Sequence, residues 1–145
     1  MQKKFVLVLT SKPEEVSKVE KFIRKVNRAA HLSEEKFYKV LVAATEAVNN
    51  SILHGNQRNP KKKVSISCEC DDSILIIDVH DEGRGFDVNS LPDPLAEENL
   101  LREHGRGVFL IRSMMDSVEF RKDAAGADVV MKLKKIGRAS CRERV

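Results

Sequence analysis

Apolar and polar residues recur along the chain with two different periods, one typical of strands and one typical of helices. At the start of the chain they predict a strand followed by a helix. Residues 5–10 (FVLVLT) are rich in β-branched and apolar side chains, which is typical of a strand. The next helix is expected to begin with a capping serine, a proline and two acidic residues: Ser11, Pro13, Glu14 and Glu15. Its apolar stripe recurs at helical spacing: Val16, Val19, Ile23 and Val26.

A longer helix is predicted to begin at Ser33, with Glu34 and Glu35 in its first turn, and to run toward Gly55. Its central stretch, residues 40–53 (VLVAATEAVNNSIL), contains a single charged residue. The apolar positions fall on one stripe: Leu41, Ala44, Val48 and Ile52. The polar positions fall roughly opposite: Glu46, Asn50 and His54. A helix this apolar is expected to be covered on much of its surface.

Two interpretations of this polar stripe are open from the helix alone. It is a solvated polar face on an ordinary core helix, or it is a site that holds a cation and a reacting group. The second interpretation matters because an unpaired buried charge is costly. The side-chain oxygen of Asn50 suits one ligand position of Mg²⁺, which keeps few protein ligands. Glu46, one turn earlier, is spaced to accept a proton from a hydroxyl or water that attacks a phosphate.

The second half of the chain is predicted to form two hairpins. Residues 64–70 alternate apolar and polar positions, a turn follows at 71–73, and residues 74–80 (ILIIDVH) form the return strand. Residues 117–121 and 128–134 form the final hairpin. Cys68 and Cys70 would point to the same face of their strand, and we expect a reduced structural role for both.

A glycine-broken loop, a polar connection and a helix lie between the two hairpins. The loop is DEGRGFD, and the connection at residues 88–104 contains Pro92 and Pro94, which indicates a mobile segment with one short helix. Gly105 is expected to open a helix through Met115. The residues of this helix that face inward are Val108, Ile111 and Met115. The element order predicts an α+β, two-layer α/β sandwich, with a mixed, mostly antiparallel sheet covered on one face by helices.

Composition indicates one soluble globular domain, residues 1–136, since the 145 residues are 41% hydrophobic and 33% charged. Residues 137–145 (GRASCRERV) lack periodicity, and we interpret them as a non-native, vector-derived tail that supplies +2 of the net charge of +4. No apolar run has the length of a membrane span or signal segment, so we expect a cytoplasmic protein. Aromatic content of 5%, without a basic stripe, argues against direct nucleic-acid binding.

Two glycine motifs carry further candidate chemistry. In Asp81-Glu82-Gly83-Arg84-Gly85 the glycines permit close approach of a flat ligand, and the carboxylate of Asp81 can accept a hydrogen bond from an exocyclic amine. In Gly105-Arg106-Gly107 the free N–H groups of a helix start favour phosphate, and the arginine adds a positive charge. Each motif alone is also typical of a plain surface turn or a glycine-rich helix entry.

Taken in order, these motifs resemble the nucleotide-binding site of the superfamily of gyrases, heat-shock chaperones, histidine kinases and mismatch-repair ATPases (GHKL). The matching stretches are EAVNNSILHGN, DEGRGFD and GRGVFLIRSMMDSVEF, within residues 40–121. The resemblance implies the Bergerat, or histidine-kinase-like, ATPase fold, with ATP and Mg²⁺ as cofactors.

Within that superfamily the chain resembles the small bacterial anti-sigma factors that are also serine-protein kinases. The string E-A-x-x-N-x-x-x-H-G, the short segment from Asp87 to His104 and the stretch GVFLIRSMMDSVEF carry this closer resemblance. It implies an ATP-dependent kinase that phosphorylates an anti-sigma-antagonist protein and sequesters a sigma factor. It also implies a homodimer.

The resemblance implies roles for the motif residues. Asn50 would bind Mg²⁺, Glu46 would be the general base and Asp81 would contact the adenine amine. The glycines that shape the adenine pocket would be Gly83 and Gly85. The residues that face the phosphates under a lid would be Gly105, Arg106 and Gly107.

One position departs from the family pattern. The family often has a threonine after the glycine that precedes the last strand, and its hydroxyl supports adenine binding; here Ala127 follows Gly126. A water or backbone group would have to substitute. Two alternative functions stay open: a non-catalytic, nucleotide-dependent partner-switching module, and a detached histidine-kinase ATPase domain. The latter needs a phosphoacceptor histidine on a dimerising helix, whereas His31 lies at a predicted helix end.

Overall fold

A five-stranded sheet with helices on one face forms the part of the chain that the structure, a computed structural model, describes: residues 2–83 and 103–135. The strands are β1 (Lys3–Thr10), β2 (Lys63–Cys70), β3 (Ile74–Asp81), β4 (Ser117–Asp123) and β5 (Gly126–Lys134). Their order is β1-β2-β3-β5-β4, and each neighbouring pair is antiparallel. The predicted α+β sandwich is confirmed, and the described sheet is fully antiparallel rather than mixed.

The helices occupy the predicted parts of the chain. They are α1 (Ser17–Ala30), which follows a 3₁₀ turn at Pro13–Val16, α2 (Glu34–Asn50) and α3 (Glu103–Met114). A π-helical turn, Ser51–Gly55, continues α2. Ser33 caps α2 as predicted, because its side chain accepts a hydrogen bond from the N–H of Lys36 at 3.2 Å.

The hydrophobic core lies between the helices and one face of the sheet. Alternate residues of β2 face the helices and are at most 4% exposed: Val64, Ile66, Cys68 and Cys70. Three residues of the predicted stripe, Val19, Ile23 and Val26, are buried with them at no more than 1% exposure, whereas Val16 lies in the preceding 3₁₀ turn and is partly buried. Burial raises the pKa of the Cys68 thiol to about 12, so this cysteine is a protonated packing residue at neutral pH.

Ser11 does not cap the first helix, contrary to the prediction. Its hydroxyl donates to the carbonyl of Lys62 at 2.7 Å and accepts from the side-chain amide of Asn56 at 2.8 Å. The 3₁₀ turn begins after Lys12 without a side-chain cap. A serine caps a helix only when its oxygen faces the N–H groups of the first turn. Ser11, which is fully buried, is directed instead toward the connection that precedes β2.

The third helix begins earlier than predicted. It starts at Glu103, so Gly105-Arg106-Gly107 lies in its first turns rather than directly before it. The N–H groups without helical partners belong to the first turn, and Gly107 is the fifth residue of the helix. Three inward-facing residues were predicted correctly and are at most 7% exposed: Val108, Ile111 and Met115.

Three predicted features lie outside the described residues: the loop after Gly83, which includes Gly85, the polar connection up to residue 102, and the tail at 137–145. Among the helices of residues 2–83 and 103–135, none combines the length and the apolar character needed to cross a bilayer.

Candidate functional site

Glu46 and Asn50 lie one turn apart on α2, next to α3. Asn50 is 7% exposed and Glu46 is half-buried. A Cβ atom added to Gly107 of α3 would lie 3.0 Å from Asn50 Nδ2 and 3.1 Å from Glu46 Oε2. The absence of a side chain at Gly107 therefore lets the α3 backbone approach both polar groups. The structure brings these three predicted site residues together.

The carboxylate of Asp81 is buried at the end of β3, with 6% exposure. Its Oδ1 accepts the N–H of Gly83 at 2.8 Å, and a side-chain hydrogen bond joins it to Ser51 in the π-helical turn. Burial raises the pKa of Asp81, although these hydrogen bonds and the nearby His80 oppose the shift. A carboxylate has about four acceptor positions, so Asp81 can still accept from a ligand donor such as an amine.

Glycines hold Asp81 by close backbone contact. A Cβ on Gly55 would overlap the Asp81 carboxylate, and a Cβ on Gly83 would overlap the carbonyl of Gly55. Gly126 approaches the main-chain carbonyl of Asp81 with a φ of 144°, a conformation that favours glycine. Gly83 is thus required by its contact with Gly55, and its N–H also orients Asp81.

A cavity of about 90 Å³ that is open to solvent connects these groups. Its lining residues come from α2, the π-helical turn and strands β3, β4 and β5: Asn50, Ser51, His54, Gly55, Asp81, Phe120, Arg121, Ala127, Asp128 and Val129. Ala127 lies directly opposite Asp81 in the β3–β5 register. The cavity therefore has a methyl group at the position where the resembling family often has a threonine hydroxyl.

The phosphate-facing residues predicted on α3 are not equally placed. Gly107 is buried against α2, whereas Arg106 is exposed and does not line the cavity. Gly105 lies within α3.

The oxygen donors near Asn50 suit Mg²⁺, which needs few protein ligands, better than they suit a metal whose ligands all come from the protein. Within residues 2–83 and 103–135, no group of three His, Cys, Asp or Glu side chains is arranged to hold a metal ion. Mg²⁺ accepts few protein ligands and takes the remainder from phosphate and water. The amide of Asn50 with the carboxylate of Glu46 nearby is a donor set of that kind.

Three residues that take part in or support the site were not singled out from the sequence. Ser51 and Asn56 are 3% and 2% exposed, and Asp128 lines the cavity. Ser51 directly follows Asn50, and its adjacency to the motif was an available signal. Asn56 follows the π-helical turn, where helical periodicity no longer predicts burial.

A row of charged side chains crosses the face of the sheet opposite the described helices, beside the cavity. His80 Nδ1 lies 2.5 Å from Asp128 Oδ1, and Arg121 is opposite Asp128 on β4. Burial, and then a hydrogen bond with Asp128 and its charge, raise the pKa of Asp78 to about 6. Burial lowers the pKa of His80, but Asp128 and the other nearby carboxylates raise it overall. Asp78 Oδ1 is buried without a hydrogen-bond partner among the described residues.

The sequence matches the histidine kinase-like ATPase domain over residues 9–133. A serine-protein kinase RsbW of Listeria innocua is 28% identical over 137 residues, which cover 90% of this chain and 87% of the relative. An anti-sigma F factor of Oceanobacillus iheyensis is 36% identical over 87 residues, which cover 59% of this chain and 60% of the relative. The aligned region thus spans less than two thirds of that anti-sigma factor.

Solved structures share the fold at low sequence identity. The RsbU and RsbW domains of a Mycobacterium tuberculosis protein align with a TM-score of 0.67 and 14% identity, over 94% of this chain and 34% of that chain. The Acinetobacter baumannii histidine kinase AdeS aligns with a TM-score of 0.52 and 15% identity, over 92% of this chain and 68% of that chain. The family match over most of the sequence and the shared fold lead to one conclusion: the chain belongs to the family of histidine kinase-like ATPase domains.

Proposed function

We propose that the protein is an ATP-dependent serine/threonine kinase that phosphorylates an anti-sigma-antagonist protein and, in a second role, sequesters a sigma factor. The names of two relatives, a serine-protein kinase and an anti-sigma F factor, support both roles. The observation that carries the proposal is the joint placement of Glu46, Asn50 and Gly107 beside a cavity that reaches the buried Asp81. A sigma-factor partner also implies a cytoplasmic location.

ATP is proposed to place its adenine at Asp81 and its phosphates toward α3. The Asp81 carboxylate would accept a hydrogen bond from the exocyclic amine. The first turn of α3 would supply N–H groups to the phosphates, and Arg106 would add a positive charge. When bound, Mg²⁺ neutralises part of the phosphate charge, and Asn50 is the residue proposed to hold it.

The proposed reaction transfers the γ-phosphoryl group of ATP to a serine hydroxyl of the antagonist. A bond forms between the serine oxygen and the γ-phosphorus while the bond from that phosphorus to the β–γ bridging oxygen breaks. ADP leaves with the electron pair of the broken bond, and Glu46 accepts the serine proton. Phosphoryl transfer depends mainly on positioning and charge neutralisation, so loss of the base slows the reaction without preventing nucleotide binding.

Phosphoryl transfer from labelled ATP to a cognate antagonist, compared between wild type and Glu46→Gln, tests this proposal. We expect the rate to fall at least about a hundredfold in Glu46→Gln, the usual contribution of a general base. Glu34→Gln, at an exposed position of the same helix, is the control and should transfer phosphate normally. Equal rates for wild type and Glu46→Gln would show that Glu46 is not the base.

Two other outcomes of the same assay would select the alternative functions. Nucleotide binding without transfer over many hours, with partner affinity still dependent on nucleotide, would select the non-catalytic switch. A phosphohistidine on the chain would select the detached histidine-kinase domain. His31, the candidate for that role, is exposed and ends α1 with a left-handed φ of 53°, in the short connection to α2.

A homodimer that uses the edge strand β1 is a further part of the proposal. β1 lies at the edge of the described sheet, and its Val6 and Val8 are 57% and 60% exposed. An exposed strand edge with apolar side chains is a template for pairing with a second chain. We expect sedimentation velocity to show a dimer for wild type and a monomer for a variant with Val6→Lys and Val8→Lys. A dimer that persists in this variant would place the interface elsewhere.

A further inference from the structure

Asn56 is a buried asparagine outside the cavity lining, and its side chain joins the ends of three strands. It directly follows the π-helical turn and is 2% exposed. Its Nδ2 donates to Ser11 Oγ at 2.8 Å and to the carbonyl of Lys63 at 2.9 Å. Its Oδ1 accepts the N–H of Glu82 at 2.9 Å. One side chain therefore links the end of the α2 segment to the end of β1, the start of β2 and the end of β3.

The orientation of the Asn56 amide follows from the chemistry of its partners. The carbonyl of Lys63 can only accept and the N–H of Glu82 can only donate, so the amide oxygen and nitrogen cannot exchange places. Ser11 donates its own hydrogen to the carbonyl of Lys62 at 2.7 Å, which leaves its lone pairs for Asn56. Removal of one member of such a buried network leaves its partners unsatisfied, which destabilises their arrangement.

The Asn56 network borders Asp81 on both sides. Glu82, whose N–H binds Asn56, directly follows Asp81 in the chain. Gly55, which directly precedes Asn56, packs so closely on Asp81 that a Cβ there would overlap the carboxylate. Gly83 packs in turn against the carbonyl of Gly55. The separation of the two backbone segments that hold Asp81 therefore depends on the hydrogen bonds of Asn56.

We infer that Asn56 is a positioning residue for Asp81. Its hydrogen bonds hold the Asp81 carboxylate, which is proposed to contact the purine, at its place in the nucleotide cavity. The inference rests on the proposed ATP binding and adds to it a residue that does not touch the nucleotide. A hydrogen bond to the adenine amine is directional, so a small displacement of the carboxylate weakens it. Displacement also reduces discrimination between bases, because the exocyclic groups of adenine and guanine differ.

Calorimetric titration of the full chain with Mg·ATP and Mg·GTP tests the inference. In Asn56→Ala we expect ATP affinity to fall about tenfold, equivalent to one charge-assisted hydrogen bond, and the preference for ATP over GTP to narrow by a similar factor. A role in stability alone would leave the base preference of the folded protein unchanged. Asn59→Ala is the matched control, because Asn59 is exposed in the same connection and its Oδ1 accepts a local bond from the N–H of Lys61 at 3.0 Å.

Ser11→Ala keeps the inference testable if Asn56→Ala fails to fold. It removes one of the Asn56 hydrogen bonds and leaves those to Lys63 and Glu82. We expect the preference for ATP over GTP to narrow here too, but by a smaller factor of about three. Wild-type base preference in folded Asn56→Ala, or in Ser11→Ala where Asn56→Ala does not fold, would overturn the inference and leave the proposed function standing. Failure of the wild type to bind ATP would overturn both.

Discussion

Asp81 and Asp78 are carboxylates of one strand, but they differ in surroundings. Asp81 faces the helices and receives hydrogen bonds from Gly83 and Ser51, which compensate part of its burial. Asp78 faces the other side of the sheet, next to a second carboxylate, Asp128. The first arrangement keeps an acceptor available to a ligand, whereas the second favours a shared proton.

Asp78→Asn is expected to change how stability depends on pH. Burial, and then the proximity of Asp128, raise the pKa of Asp78 in the folded state to about 6, above roughly 4 in the unfolded chain. The folded protein thus keeps a proton that the unfolded chain has lost. The stability that this retained proton contributes is present at low pH and is lost as the pH rises through about 6. His80, whose pKa is also raised overall, changes stability in the same direction.

Urea unfolding between pH 5 and pH 8 measures this effect. Between pH 5 and pH 8 we expect the free energy of unfolding to fall by about 1 kcal/mol more in wild type than in Asp78→Asn. This difference is smaller than the full pKa shift of Asp78 implies, because the carboxyl is half-exposed and screened by solvent. Asp72→Asn, in the exposed turn between β2 and β3, should follow the wild-type curve. Parallel curves for wild type and Asp78→Asn would contradict a proton shared at Asp78.

At the scale of helices and strands, the sequence predicted the features that depend on side chains within a single element. The alternation in β2, the stripe of α1 and the Ser33 cap all follow from side chains within one element. The prediction for Ser11 was wrong because its partner, the carbonyl of Lys62, lies 51 positions later in the chain. The start of α3 at Glu103 was missed because the glycines were taken as the boundary.

The candidate site was also predictable only where its residues belong to one element. The four-residue spacing of Glu46 and Asn50 predicted that they share one face of a helix, since that relation is local. The support given by Asn56 depends on contacts near β1, β2 and β3, which no local pattern encodes. Ser51 bonds Asp81 of β3, and its adjacency to Asn50 was the one local signal for it. Within the polar stripe, Asn50 and His54 both line the cavity as the stripe predicts, although His54, in the π-helical turn, is exposed.

The contact between α2 and α3 leads to a prediction for Gly107→Ala. The new methyl group would press on Asn50 and Glu46 at 3.0 and 3.1 Å, and both contact atoms are side-chain ends that can move. We expect the free energy of unfolding to stay within about 1 kcal/mol, because alanine also favours a helix. ATP affinity and phosphoryl transfer should both fall, since the displaced groups are the proposed site.

Nucleotide titration and urea unfolding of Gly107→Ala provide the check. Ser113→Ala, on the exposed side of the same helix, is the control and should retain wild-type values for both. Wild-type ATP affinity and transfer in Gly107→Ala would show that the α2–α3 contact is structural and does not face the nucleotide.

For the whole molecule, the antiparallel sheet gathers distant parts of the chain at one of its ends. Thr10 pairs with Lys63, Val64 with Asp81, and Asp81 with Ala127, so the cavity lies where β1 and β3 end. The end of α2 and the start of α3 lie next to the same cavity. The family match from residue 9 to residue 133 includes all of these segments. The site is therefore a property of the complete fold rather than of any single motif.

Calorimetric titration with ATP, with and without Mg²⁺, for wild type and Asn50→Ala tests the central claim most directly. We expect wild type to bind Mg·ATP, and Asn50→Ala to bind it at least about tenfold more weakly, the loss of one contact to a charged group. Removal of Mg²⁺ should weaken wild type strongly and Asn50→Ala little. Asn49→Ala, the same substitution on a neighbouring position that does not line the cavity, is the control. Undiminished Mg·ATP affinity in Asn50→Ala would contradict the proposed nucleotide site.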